Sequence, residues 1–268
     1  MDATMRTLKL LSLVMALCPS VGSACGTESD CVLEDGRHYK IALPDAVPAG
    51  AILFAHGFGG SAERSMSNGS LRQMAEDMNL ALITVKSAAR DWSIPNAPSS
   101  VTMQGVDEVA YIDAVMEDVE VRFGLLKQDT VVSGFSAGSM LAWTVACERG
   151  NEFAGFVPMS GVFWSPIPSE CAADAASVIH IHGTQDNTVP LAGRVVMDTR
   201  QGDVKDVLEL YKGHGAFLTV DDITTENLQC EVALNPAGRR LEFCQFEGGH
   251  QFRTEFLRDA YVRLTSSS

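Results

Sequence analysis

The run Val131-Val132-Ser133-Gly134-Phe135-Ser136-Ala137-Gly138 sets a serine between two glycines, two residues to either side. A serine hydroxyl is a weak nucleophile at neutral pH. It needs a base to take its proton, a carboxylate to orient that base, and amide donors for the oxyanion that forms. The five-residue spacing is common by chance, and a serine there also serves as a turn residue or helix N-cap. Its context gives it weight: an apolar β-branched run precedes it and a helix-forming sequence follows. That places Ser136 on a sharp strand-to-helix turn, which projects the hydroxyl outward. Gly134 and Gly138 permit the close backbone approach such a turn requires.

Of the six histidines, His250 is the candidate base. It follows the last β-like run, Arg239 to Phe246, and the pair Gly248-Gly249, so it is free to swing over the strand ends. His38 falls in an early strand, His180 inside a strand and His214 in a glycine-flanked turn. His56 and His182 each precede a glycine at a strand end and are read as loop braces. Asp186, in Gly183-Thr184-Gln185-Asp186, is the candidate acid, giving the chain order Ser, Asp, His. The competing reading of Asp186 is an Asx-turn aspartate ahead of Pro190. The glycine-rich stretch His56-Gly57-Phe58-Gly59-Gly60-Ser61 supplies backbone donors, so the oxyanion would rest on the amides of Phe58 and Ala137. Trp92 is a possible aromatic wall for substrate, or equally a packed loop residue. The glycine loop lacks the lysine of a phosphate-binding loop, no ligand spacing for a metal occurs, and neither metal nor cofactor is expected.

Such residues must be carried on the carboxyl ends of strands in an open α/β sheet. The chain supplies them. Residues 50–57, 80–88, 129–136, 153–161 and 177–186 are apolar runs of the kind buried on both faces. Between them lie helical patterns, the clearest placing Val106, Val109, Ala110, Ile112, Val115, Met116 and Val119 on one side and stopping at Gly124. Alternating strands and helices predict a mostly parallel sheet covered on both faces. The 268 residues suit one such domain, with no repeat, linker or low-complexity block.

Residues 1–24 read as an export leader: Arg6 and Lys9, an apolar run from Leu10 to Leu17, then Gly22-Ser23-Ala24. Cleavage after Ala24 leaves residues 25–268 as the domain and moves the formal charge from −14 to −15. That charge offers no footprint for nucleic acid or anionic lipid, and the leader's apolar run is too short to span a bilayer. A secreted or periplasmic location follows, and six remaining cysteines fit a disulfide framework. Cys25 and Cys31 flank a short polar loop, with lipidation of Cys25 as the alternative. Cys230 and Cys244 bracket the turn Asn235-Pro236-Ala237-Gly238. Cys147 and Cys171 are then left for each other.

Together, His56–Ser61, Gly134–Gly138, Gly183–Pro190 and Gly248–His250 resemble the secreted polyhydroxybutyrate-depolymerase and feruloyl-esterase-like branch of the α/β-hydrolases. The likeness runs from about Gly36 to Leu264, and Ser136, Asp186 and His250 fall on that family's triad positions. It implies an α/β-hydrolase fold and hydrolysis of a small ester or oligoester. Two departures, Ser139 where many members have glycine and Gln251-Phe252 where many have Trp-Pro, are expected near the substrate cleft. The rival readings are a prolyl-peptidase-like serine exopeptidase, disfavoured because no cap segment is evident, and a catalytically silent binding protein.

Overall fold

The computed structural model describes residues 25–225 and 227–266; the leader expected over residues 1–24 lies outside them. In chain order the strands are β1 (Cys31–Val32), β2 (His38–Ala42), β3 (Ala51–Ala55), β4 (Ala81–Val85), β5 (Thr130–Phe135), β6 (Gly155–Met159) and β7 (Trp164–Ser165). They continue with β8 (Val178–Gly183), β9 (Val195–Val196), β10 (Thr199–Gln201), β11 (Leu218–Thr224), β12 (Gln229–Leu234) and β13 (Arg240–Phe246). The helices are α1 (Ala62–Met66), α2 (Gly69–Asp77), α3 (Pro98–Thr102), α4 (Glu108–Phe123), α5 (Ala137–Arg149), α6 (Val204–His214) and α7 (Thr254–Thr265).

Among the described residues the main sheet is ordered β1-β2-β4-β3-β5-β6-β8-β13-β12-β11. Neighbours from β4 to β13 are parallel, and antiparallel pairs close both edges. The strand-helix alternation predicts this mostly parallel sheet, and the α/β-hydrolase fold that the resemblance implies is the one observed. Strands β3, β4, β6 and β8 are buried at every residue because both faces are covered, whereas the edge strand β11 is largely exposed. Ala51, Leu53, Ala55, Ile83 and Val132 join one core with α4 and α5, while Ile52, Phe54, Leu82, Val131 and Ile179 join another with α2 and α7. Helix α4 begins where Asp107 accepts from the Val109 and Ala110 amides and stops at left-handed Gly124. Its buried side departs from expectation at Ala110, which is exposed, because Glu108 and Tyr111 turn inward to hold Arg37 and the His38 carbonyl.

All three expected disulfides are present, Cys25–Cys31, Cys147–Cys171 and Cys230–Cys244. Cys230 faces Cys244 directly in the β12–β13 register, so that bond crosses a hairpin. No helix among the described residues is long and apolar enough to cross a membrane.

One feature is not legible in the sequence. The excursions after β6 and β8 meet in a second sheet ordered β7-β10-β9, with Gln201 opposite Trp164 and Arg200 opposite Ser165. Strands of two or three residues are too short to display alternation. This sheet brings Trp164, Val196 and Gln201 to one side of the candidate site.

Candidate active site

Ser136 lies between the last residue of β5 and the first of α5, at φ 58° and ψ −119°. A non-glycine residue rarely adopts such a conformation, and it persists only where the surroundings over-determine it. They do so here through backbone contact. A Cβ on Gly134 would lie 2.2 Å from the Gly138 carbonyl oxygen, and one on Gly138 would lie 2.0 Å from that of Ala55. Strand end, helix start and the neighbouring strand therefore touch main chain to main chain. The Ser136 amide donates to the Met159 carbonyl at 2.9 Å, and its carbonyl accepts from Met140 at 3.1 Å. Ser139 is fully buried, and its hydroxyl donates to the Gly161 carbonyl at 2.6 Å. It braces the turn behind Ser136 and does not line the cleft, contrary to expectation.

Asp186 and His250 arrive from the ends of β8 and β13. Asp186 is buried; its Oδ1 accepts from the Thr188 and Val189 amides at 2.9 and 2.8 Å, while its Oδ2 accepts from His250 Nδ1 at 2.7 Å. One oxygen thus makes the Asx turn and the other faces His250, the contact that the acid reading requires. Burial alone would raise the Asp186 pKa. Hydrogen bonds from His182, His250 and the Val189 amide outweigh it and hold the carboxyl below the ordinary range. With Nδ1 donating to Asp186, His250 keeps Nε2 bare for a proton. The Phe135 ring, one residue before Ser136, packs 4.6 Å from the His250 ring. Phe252 packs on Phe54 and Phe135, and Gln251 is exposed. Among the described residues no hydrogen bond joins Ser136 Oγ to His250. Such bonds often tighten only in the substrate complex.

The candidate oxyanion loop, residues 56–61, is braced from beneath. His56 donates from Nδ1 to the Gly57 carbonyl at 2.7 Å, so its Nε2 accepts the Ser87 amide at 3.2 Å. Burial lowers its pKa to about 4. Gly59 and Gly60 spend their amides on the Arg90 and Gly57 carbonyls. The Phe58 and Ala137 amides find no acceptor among the described residues, and both residues line one cleft with Ser136. The same brace accounts for Trp92, which is fully buried, packs at a tilt 4.9 Å from the His56 ring and donates from Nε1 to the His56 carbonyl at 2.8 Å. The aromatic-wall reading of Trp92 is therefore corrected: it packs behind the loop.

The cleft has a volume of about 640 Å³, well suited to a small organic molecule. Its apolar walls are Phe58, Met103, Met140, Trp164, Val189, Val196 and Met197, with Arg90, Arg194 and Asp91 also lining it. Trp164, Val196 and Gln201 come from the second sheet, which is why sequence reasoning missed them. A further cavity of about 570 Å³ beneath α6 contains none of the candidate site residues.

Two solved structures share the fold over most of the chain. An acetyl xylan esterase from Aspergillus awamori superposes with a TM-score of 0.64 at 13% identity, covering 86% of this chain and 94% of that one. A Bacillus cereus carboxylesterase gives 0.60 at 14% identity, covering 88% and 96%. At these identities the likeness speaks to the fold alone. In sequence, the chain is 27% identical to a probable feruloyl esterase C from Aspergillus niger over 176 residues, 62% of this chain and 61% of that protein. It is 26% identical to the feruloyl esterase C of Emericella nidulans over 171 residues, 61% and 60% respectively. The chain thus spans about three fifths of the length of these relatives. A family model described as phospholipase/carboxylesterase matches residues 37–209, which hold Ser136, Asp186 and both oxyanion candidates but end before His250. That match takes in well over half of the chain, and the chain belongs to the phospholipase/carboxylesterase family.

Proposed function

We propose that this chain is an exported serine esterase that cleaves carboxylic esters through an acyl-enzyme. The observation that carries the reading is the 2.7 Å bond from His250 Nδ1 to a buried Asp186 carboxylate, beside a strained Ser136 turn and two unspent amides. Ser136 Oγ attacks the ester carbonyl as His250 Nε2 takes its proton. The carbonyl oxygen, now negative, rests on the Phe58 and Ala137 amides. Collapse breaks the bond to the alcohol, which leaves with the proton from His250. Water then repeats the sequence on the acyl-enzyme, releasing the acid and restoring Ser136. Asp186 stays ionised and stabilises the imidazolium without taking its proton.

The preferred acyl group in this reading is a hydroxycinnamoyl or similarly apolar one, hydroxyalkanoate oligomers included. Two supports are the apolar cleft of about 640 Å³ and the feruloyl esterases among the relatives. The leader-like residues 1–24 and the three disulfides support export. The test compares a methyl hydroxycinnamate, a hydroxybutyrate oligomer, an acetylated glycan and a peptide amide on one preparation, with Ser136→Ala in parallel. The variant should stay folded and lose at least about 10⁴-fold in kcat on every ester. An active Ser136→Ala would overturn the mechanism, and turnover of the amide alone would overturn the substrate class.

A further inference from the structure

Beside Asp186, two fully buried imidazoles continue the polar contacts of the acid turn, and the proposed mechanism uses neither. Trp143 Nε1 lies 3.3 Å from His180 Nδ1, His180 Nε2 lies 3.1 Å from His182 Nδ1, and His182 Nε2 lies 2.8 Å from the Val189 carbonyl oxygen. The same His182 Nε2 is 3.5 Å from Asp186 Oδ2. An indole N–H can only donate, so His180 Nδ1 must accept. A neutral imidazole carries one donor and one acceptor, which fixes every later bond. His180 donates from Nε2 to His182 Nδ1, and His182 donates from Nε2 to the Val189 carbonyl. The chain runs one way, from Trp143 into the acid turn.

Its last acceptor belongs to the residue whose amide holds Asp186 Oδ1 at 2.8 Å. His182 therefore clamps the turn from the back while the Val189 amide holds the carboxylate from the front. The opposite tautomer would set a bare Nε2 lone pair against the Val189 carbonyl and Asp186 Oδ2 together. Three acceptors would then face one another in a buried site, and the turn would open. Packing holds the ring planes: His180 stacks on Phe243 at 5.9 Å and 14°, and Trp143 sits against Phe163 and Tyr211.

We propose that His182 is a positioning residue for Asp186, with Trp143 and His180 setting the tautomer in which it donates. This rests on the reading of Asp186 as the catalytic acid. The sequence reading of His182 as a loop brace is thereby given a direction and a target.

The test has a spectroscopic arm and a kinetic arm on the exported enzyme. Long-range ¹H–¹⁵N correlation of histidine-labelled protein should find His180 and His182 both protonated on Nε2. A His180 protonated on Nδ1, turned toward the nearby Pro158 carbonyl, would reverse the chain and overturn the proposal. His182→Leu should lower kcat on a p-nitrophenyl ester by about 10- to 100-fold with KM changed less than about 2-fold, the cost of a small misplacement of the catalytic group. His182→Gln, which keeps a donor, should recover most of that loss. Trp143→Phe, which removes only the far donor, should leave His182 in mixed tautomers and lower kcat by about 3-fold or more. Wild-type kcat in His182→Leu, or equal losses in the Leu and Gln variants, would overturn the proposal. If His182→Leu does not fold, the tautomers and Trp143→Phe decide. An inactive Ser136→Ala beside a fully active His182→Leu defeats only this inference, whereas an active Ser136→Ala defeats the serine mechanism itself.

Discussion

The two halves of the candidate site are held by different physics. Around Ser136 the main chain does the work: a positive φ, and approaches at Gly134 and Gly138 so close that no Cβ fits. Around Asp186 and His250 side chains do it, through four polar contacts on one carboxylate from two amides and two imidazoles. The first half should be intolerant of added atoms and the second of altered charge or proton position. Substitutions that change only one of these quantities can separate them.

The largest effect is expected from the least bulky change, Asp186→Asn. An asparagine can still accept from the Thr188 and Val189 amides, so the turn should survive. What is lost is the charge that selects the Nδ1–H tautomer of His250 and stabilises its imidazolium. Removing that charge from a Ser-His-Asp site typically costs about 10⁴-fold in kcat. The measurement is ester turnover with the far-UV spectrum as a control. A loss under about 10-fold would mean that the bond from His250 is ornamental to the reaction.

Gly138→Ala reverses the experiment, adding one methyl and no charge. Its Cβ would meet the Ala55 carbonyl oxygen at 2.0 Å, a backbone atom that cannot rotate aside. Overpacking against main chain should cost about 3–4 kcal/mol, or roughly 10 °C in Tm for a domain of this size. Activity would fall with the fold, in contrast to Asp186→Asn. A variant of unchanged Tm would show that the turn yields more easily than its contacts imply.

The same division decides what was readable from sequence. Glycine marks backbone constraint directly, so Gly134, Gly138 and the stretch from Gly57 to Gly60 exposed the Ser136 half at once. The order of Asp186 and His250 on later strand ends was readable too, because parallel strands put their carboxyl ends on one edge. Networks of side chains leave no such mark. Trp92 looked like a cleft residue, yet its indole belongs to the underside of the oxyanion loop. Trp164 and Gln201 carry no signal in the sequence, yet a pairing of two excursions far apart in the chain brings them to the cleft wall. Hydrophobic period predicts which face of an element is buried, not which short segments meet across it.

Both halves rest on a buried histidine, and acid should weaken the two braces together. Burial lowers His56 to about 4, and burial with the neighbouring His182 puts His180 well below its ordinary value. Each ring therefore stays neutral in the folded chain at pH values where the unfolded chain takes up a proton. The stability they contribute is complete above about pH 6.5 and declines as pH falls, through about 4 for His56. While only the unfolded form is protonated, each ring costs about 1.4 kcal/mol per pH unit, which for His56 amounts to about 3 kcal/mol over its window. Asp186, whose pKa is depressed instead from the carboxylate range, adds its loss only below about pH 4. Urea unfolding at pH 7.5, 5.5 and 4.5 measures the slope. His56→Gln should flatten it by one proton, and an unchanged slope would place that titration elsewhere.

Ser139 gives the smallest effect and the finest distinction, because it sits in the nucleophile's half but acts through a side chain. Its hydroxyl donates 2.6 Å to the Gly161 carbonyl in a fully buried position, one turn of α5 behind the cleft. Ser139→Ala deletes one oxygen, leaves that carbonyl without its donor, and adds no atom where none fits. The expected cost is about 1–2 kcal/mol, a fall in Tm of roughly 2–6 °C. Relative kcat/KM across hydroxycinnamoyl, hydroxybutyryl and acetyl esters should not move, since the hydroxyl points to the turn at Gly161 and not to substrate. A shifted ester preference at unchanged Tm would return Ser139 to the substrate path, where its departure from related sequences first suggested it belonged. A lowered Tm at unchanged preference would mean that the departure tunes how firmly the strained serine is held. Selectivity would then lie with the cleft wall of Met140, Trp164 and Met197.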